Sequence, residues 1–85
     1  MINEMNEIEN WIVRYFEEAD AMNGRDPARL LDVNYFNEEL LDSLGIVQLV
    51  TGLEDEFDVR LEPEQMQDPR FCTIRGLAQI VDESR

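Results

Sequence analysis

The sequence predicts an all-α protein, a small four-helix bundle built from three main helices and one short one. Three separate stretches repeat apolar residues at steps of three and four, the spacing of one helix face. No stretch alternates as a strand would, and Asn23-Gly24 and the three prolines fall between the periodic stretches rather than inside them. The chain has 85 residues, room for one modest core, so a single domain over residues 1–85 is expected, without an internal repeat.

The first helix is expected from Asn3 to Ala21, with Met5, Ile8, Ile12, Tyr15, Phe16 and Ala19 on one face and acidic residues largely opposite. Trp11 and Val13 flank that stripe, and Asn23-Gly24 ends the helix. Asp26-Pro27 reads as a cap followed by proline at the first helical position, opening a single turn through Ala28–Leu31. Val33, Tyr35, Phe36, Leu40 and Leu41 follow, too apolar for a solvated linker, so this connection should be pinned across the core. The second main helix runs from about Ser43 to Phe57, burying Ile46, Leu49, Val50, Leu53 and Phe57. Leu44, Val47 and Thr51 lie on another side, next to Glu54 and Asp55, in a strip the core does not need. Glu62-Pro63 opens a short helix that ends near Gln67-Asp68-Pro69, and Phe71 should anchor the core. Thr73 caps a last helix whose stripe is Ile74, Leu77, Ala78 and Val81, and Cys72 just before it reads as a small half-buried apolar residue.

Composition removes several function classes. Hydrophobic residues make up 44% of the chain, enough for a core, so disorder is not the expectation. The formal charge is −13, with twenty acidic residues against seven arginines and no lysine. Phosphate backbones and anionic membranes would be repelled, whereas basic protein surfaces would be attracted. Without histidine there is no Ser-His-Asp triad and no Cys-His pair, and one cysteine makes neither an internal disulfide nor a thiolate metal cluster. The stretch "AMNGRDPARLL" lacks the acids of a calcium loop at the required offsets. No metal site is expected, and the chain does not read as an enzyme. No apolar run reaches membrane-spanning length and "MINEMNEIEN" is acidic where a signal peptide is basic, so a cytoplasmic location without membrane insertion is expected.

Ser43 is then the residue to explain. It stands where the second helix begins, and the residues alone leave two readings open. In the first it serves only as the helix cap, and replacing it by alanine would cost about 1 kcal/mol. Alternatively it carries a phosphate ester, which the unpaired N–H groups and positive dipole of that helix end would stabilise. Gly45 keeps the neighbourhood uncrowded.

The stretch "DSLGIVQLVTGLEDEF", residues 42–57, resembles the acyl carrier protein family, in which Asp-Ser-Leu opens a helix ending in acids and a phenylalanine. The resemblance continues through "YFNEELL" upstream and "VRLEPEQMQDPRFCTIRGLAQIV" downstream, covering roughly residues 30–81. It implies that Ser43 receives 4'-phosphopantetheine from coenzyme A through a separate phosphopantetheinyl transferase. The arm's thiol would then hold an acyl or aminoacyl group as a thioester. Asp42 would lie at the transferase contact. Leu44, Val47, Thr51, Glu54 and Asp55 match the positions that meet partner enzymes: a loading ligase or acyltransferase, then a downstream synthase or transferase. Carriers of this family are usually monomers. The fatty-acid-synthesis carriers read close to Asp-Ser-Leu-Asp-x-Val-Glu-Leu, whereas this chain has Gly45 and Gln48 in place of the two acids. "DSLG" followed by "VQL" is more similar to the D-alanyl carrier proteins of cell-wall modification and to specialised carriers of secondary metabolism. A specialised, discrete carrier is therefore favoured over the housekeeping one. The competing class is an acidic helical adaptor without a prosthetic group.

Overall fold

The computed structural model describes residues 6–22, 24 and 26–85. In chain order these form α1 (Glu7–Glu18), α2 (Pro27–Leu30), α3 (Ser43–Phe57), α4 (Pro63–Met66), a 3₁₀ turn (Pro69–Cys72) and α5 (Ile74–Ser84). The all-α bundle expected from periodicity is what the described residues form.

Helix α1 begins with a reciprocal cap. The Asn6 side chain accepts from the Glu9 N–H at 2.8 Å, and the Glu9 carboxylate accepts from the Asn6 N–H at 3.0 Å. The expected start at Asn3, and Met5 with it, lie outside the described residues. The helix closes at Glu18, three residues before the expected Ala21, because Asp20 turns left-handed at φ 57° and the Ala21 N–H returns to the Phe16 carbonyl at 2.8 Å. Ala21 is thereby tucked into the core, while Ala19, expected on the buried stripe, is exposed. Val13, expected at the edge, is buried with Ile8, Ile12 and Phe16. Of the Asn23-Gly24 stop, Asn23 lies outside the described residues and Gly24 takes φ 77°.

Asp26 stands at the N-cap of α2 in extended conformation with Pro27 behind it, but its side chain makes no capping bond. The connection from Leu31 to Asp42 is a strap over the core. Tyr35 is fully buried, its hydroxyl donating to the Phe71 carbonyl and its N–H to the Cys72 carbonyl at 3.0 Å. The Arg75 N–H reaches back to the Leu31 carbonyl at 3.0 Å, so the strap is bonded to both the 3₁₀ turn and the head of α5. Phe36, expected inside, is exposed and lies against Phe71 with ring centroids 6.0 Å apart.

Thr73 caps α5 as its sequence suggests, its hydroxyl accepting from the Gly76 N–H at 3.0 Å. Gly76 is obligatory for packing: a Cβ there would lie 2.1 Å from the Arg70 carbonyl oxygen. Arg70 bridges Asp68 at 3.0 Å and Glu83 at 2.8 Å, tying the 3₁₀ turn to the far end of α5. The Gln65 side chain accepts from the Glu62 N–H at 2.7 Å and donates to the Ser84 hydroxyl at 2.6 Å, which docks α4 on the same helix. The core lies between α1, α3 and α5, and Leu49, Val50 and Leu53 of α3 share one buried cluster with Ile74, Leu77, Ala78, Ile80 and Val81 of α5. Ile46 and Phe57, expected on the α3 stripe, are half-buried at its ends.

Candidate functional site

The strap delivers the chain to α3 at Asp42. This residue takes the extended N-cap conformation, its carboxylate accepts from the Gly45 N–H at 2.7 Å, and its carbonyl accepts from the Ile46 N–H at 3.0 Å. Ser43 is therefore the first helical residue and not the cap. This overturns the reading of Ser43 as a capping serine, along with the cost assigned to losing that cap. Its side chain is exposed, and no hydrogen bond holds its hydroxyl among the described residues.

A hydroxyl in this position suits esterification to an anion. The N–H groups of the first helical turn have no carbonyl above them within the helix and carry its positive dipole end. An ester there disturbs no existing bond, and Asp42 still caps. Asp42 also stands beside Ser43 on the exposed side. The Gly45 carbonyl accepts the Tyr15 hydroxyl at 2.9 Å, which ties this turn to α1.

The five positions assigned to partner recognition lie along the outer side of α3. Leu44 is 63% exposed and Val47 59%, so two large apolar groups face solvent within about one turn of Ser43. Thr51 and Asp55 continue the exposed strip. Glu54 is different: it is half-buried and its carboxylate accepts from the Leu61 N–H at 2.9 Å, pinning the segment that leaves α3.

Beside this strip lies a cleft of about 290 Å³, lined by Ile46, Val47, Val50, Thr51 and Glu54 of α3, Met66 of α4 and Phe71 of the 3₁₀ turn. Sequence reasoning missed it, because Ile46, Val50 and Phe71 were assigned wholly to the core and Met66 to no role. A second hollow of about 320 Å³ lies against Thr51, Glu54, Asp55, Val59 and Arg60, so an arginine that the sequence did not single out enters an otherwise acidic end. Among the described residues no three histidine, cysteine, aspartate or glutamate side chains are placed to hold a metal ion. No helix there is long and apolar enough to cross a membrane.

An exposed serine hydroxyl at the first turn of a helix, an exposed apolar strip beside it and an apolar cleft are features that suit a carrier, a protein that presents an attached group to others. The chain belongs to the family of phosphopantetheine carriers: the family model for the phosphopantetheine attachment site matches residues 10–81. It is similar to the D-alanyl carrier protein of Lactococcus lactis subsp. lactis (strain IL1403), 32% identical over 71 residues that cover 82% of this chain and 90% of that one. It is 33% identical to that of Lactococcus lactis subsp. cremoris (strain MG1363) over 69 residues, 80% of this chain and 87% of the relative. The protein of the same name from Streptococcus pyogenes serotype M5 (strain Manfredo) is 28% identical over 76 residues, 89% and 92% of the two chains. No solved structure matches the chain significantly. Membership of this family makes the protein a non-catalytic carrier of covalent 4'-phosphopantetheine, working between a loading enzyme and a receiving one. The adaptor without a prosthetic group and the housekeeping fatty-acid carrier are not favoured.

Proposed function

We propose that Ser43 is the attachment point, and that the chain is an aminoacyl carrier that receives D-alanine in the cytoplasm for modification of the cell envelope. The observation that carries the first half is the division of labour at the head of α3, where Asp42 caps and leaves the exposed Ser43 hydroxyl unbonded. The second half rests on the relatives, which bear the name D-alanyl carrier protein, and on Gly45 and Gln48 in place of acids.

In loading, the Ser43 oxygen bonds to the pantetheine-bearing phosphorus of coenzyme A and gives its proton to a base on the transferase. The phosphoanhydride bond breaks and adenosine 3',5'-bisphosphate leaves. The attached arm supplies a thiol, on which a carboxylic acid is held as a thioester. Asp42 keeps the first turn closed while this happens and stands at the transferase contact. Leu44, Val47 and Thr51 would seat in the apolar hollow of each partner, with Asp55 and Glu54 orienting it through their charge. Exposed charge pairs are individually weak, which suits brief visits and release. One carrier domain acting as a monomer is enough for this.

Intact-mass spectrometry before and after incubation with coenzyme A and a broad-specificity phosphopantetheinyl transferase tests the reading. One phosphopantetheine unit is expected, mapped to Ser43 and absent from Ser43→Ala. The loaded protein, given ATP and a D-alanine-activating ligase, should then gain one alanyl group that hydroxylamine removes. Addition at another residue, or loading of fatty acyl groups in preference to D-alanine, would refute the corresponding half.

A further inference from the structure

The reactive hydroxyl lies at the end of a helix, where the first turn is the part most prone to fray. Two aromatic residues of α1 brace that helix. Trp11 and Tyr15 are one turn apart on α1, with their rings stacked at 6.0 Å. They meet two glycines that lie two turns apart on α3. The Tyr15 hydroxyl donates to the Gly45 carbonyl at 2.9 Å. Trp11 lies so close over Gly52 that a Cβ there would be 2.7 Å from its ring. The indole also meets the Phe57 ring in a T-shaped arrangement, with centroids 6.3 Å apart. The brace therefore seats α3 along three turns, and its one directional bond falls on the turn that begins with Ser43.

We propose that Tyr15 is a positioning residue for arm transfer: its hydroxyl, bonded to the Gly45 carbonyl, holds the first turn of α3 so that the Ser43 oxygen meets the phosphorus in line. This rests on the reading of Ser43 as the attachment point. The Gly45 N–H is already bonded to Asp42 and its carbonyl to Tyr15, so the residue two places from Ser43 is held from both sides. Burial, and after it the Asp42 carboxylate, raise the Tyr15 pKa above its usual value, so the hydroxyl stays a donor at mildly alkaline pH. Docking depends on Leu44, Val47 and Thr51, which remain in Tyr15→Phe. Loss of the bond should therefore act on the reaction of the docked complex more than on its formation.

Transfer kinetics on purified protein test this, with Tyr15→Phe compared against wild type and against Ile80→Val, a small core deletion on α5. The expected result for Tyr15→Phe is kcat reduced about fivefold, the equivalent of one hydrogen bond, with KM within about twofold of wild type. Ile80→Val should lower the melting temperature yet keep the wild-type kcat. Amide exchange at Gly45 and Ile46 should quicken in Tyr15→Phe alone. Wild-type kcat in Tyr15→Phe, or an equal loss in Ile80→Val, would overturn the proposal and leave the tyrosine a packing residue. Failure of wild type itself to be modified at Ser43 would instead sink the attachment-site reading, and this inference with it.

Discussion

At the residue scale, the informative pair is Asp42 and Ser43. Both are good capping residues, so composition does not say which takes the extended conformation and which enters the helix. That is decided by where the strap hands the chain to α3, a tertiary matter that no local pattern encodes. The structure gives the cap to Asp42, with its carboxylate 2.7 Å from the Gly45 nitrogen. Asp42→Ala should therefore cost about 1 kcal/mol, lowering the melting temperature by about 4–8 °C. Ser43→Ala, an exposed change that breaks no bond, should stay within about 0.5 kcal/mol of wild type. Thermal melts of the two variants check this, and the reverse order would return the cap to Ser43. The residues proposed to meet partners were legible as a strip because periodicity places them. The bond that occupies Glu54 was not, since its donor, the Leu61 N–H, lies beyond the helix end.

At the scale of elements, α3, α5 and the buried stripe of α1 follow from the 3.6-residue period. The ends of α1 do not, being set by the Asn6–Glu9 cap and the left-handed Asp20. The strap was legible as a buried connection from its apolar content, though not in which ring goes inside: Tyr35 is buried and Phe36 next to it is exposed. Tyr35 wins because its hydroxyl finds the Phe71 carbonyl, a pairing between residues far apart in sequence. Burial pushes the Tyr35 phenol far above its ordinary value, so it remains a donor through mildly alkaline pH. Tyr35→Phe keeps the ring and strands a buried carbonyl, and should cost about 1–3 kcal/mol. Urea unfolding should show a lower midpoint at unchanged slope, and an unchanged midpoint would mean that the strap is held by packing alone. The cleft beside α3 escaped the sequence because it depends on how α4 and the 3₁₀ turn stand off from the helix, which no single element determines.

At the scale of the whole molecule, charge dominates. With a net −13, the folded chain repels itself, so added salt should raise the melting temperature even though it weakens the individual arginine pairs. Acid should act the other way, through Asp32, Asp68 and Glu83, whose pKa values are lowered chiefly by hydrogen bonds to Arg75 for the first and Arg70 for the other two. Each has a folded value below its unfolded one. Its contribution is therefore whole above the ordinary values of 3.8 for aspartate and 4.5 for glutamate, and disappears as pH falls through the lowered folded values. Melts across pH should stay level from neutrality towards those values and fall below them. In Arg70→Gln the acid limb should be shallower, and an identical limb would remove the Arg70 pairs from the account.

The brace between α1 and α3 also has a spectroscopic consequence. Trp11 is the sole tryptophan of the chain, and it lies half-buried across the inner side of the helix whose outer side is proposed to meet partners. Its emission depends on its seat over Gly52 and on the neighbouring Tyr15 and Phe57 rings. A shift of α3 on docking or on loading alters that surrounding without touching the indole directly. The protein thus contains its own fluorophore against the helix of its proposed work, and a partner that lacks tryptophan could be titrated against it with no label at all.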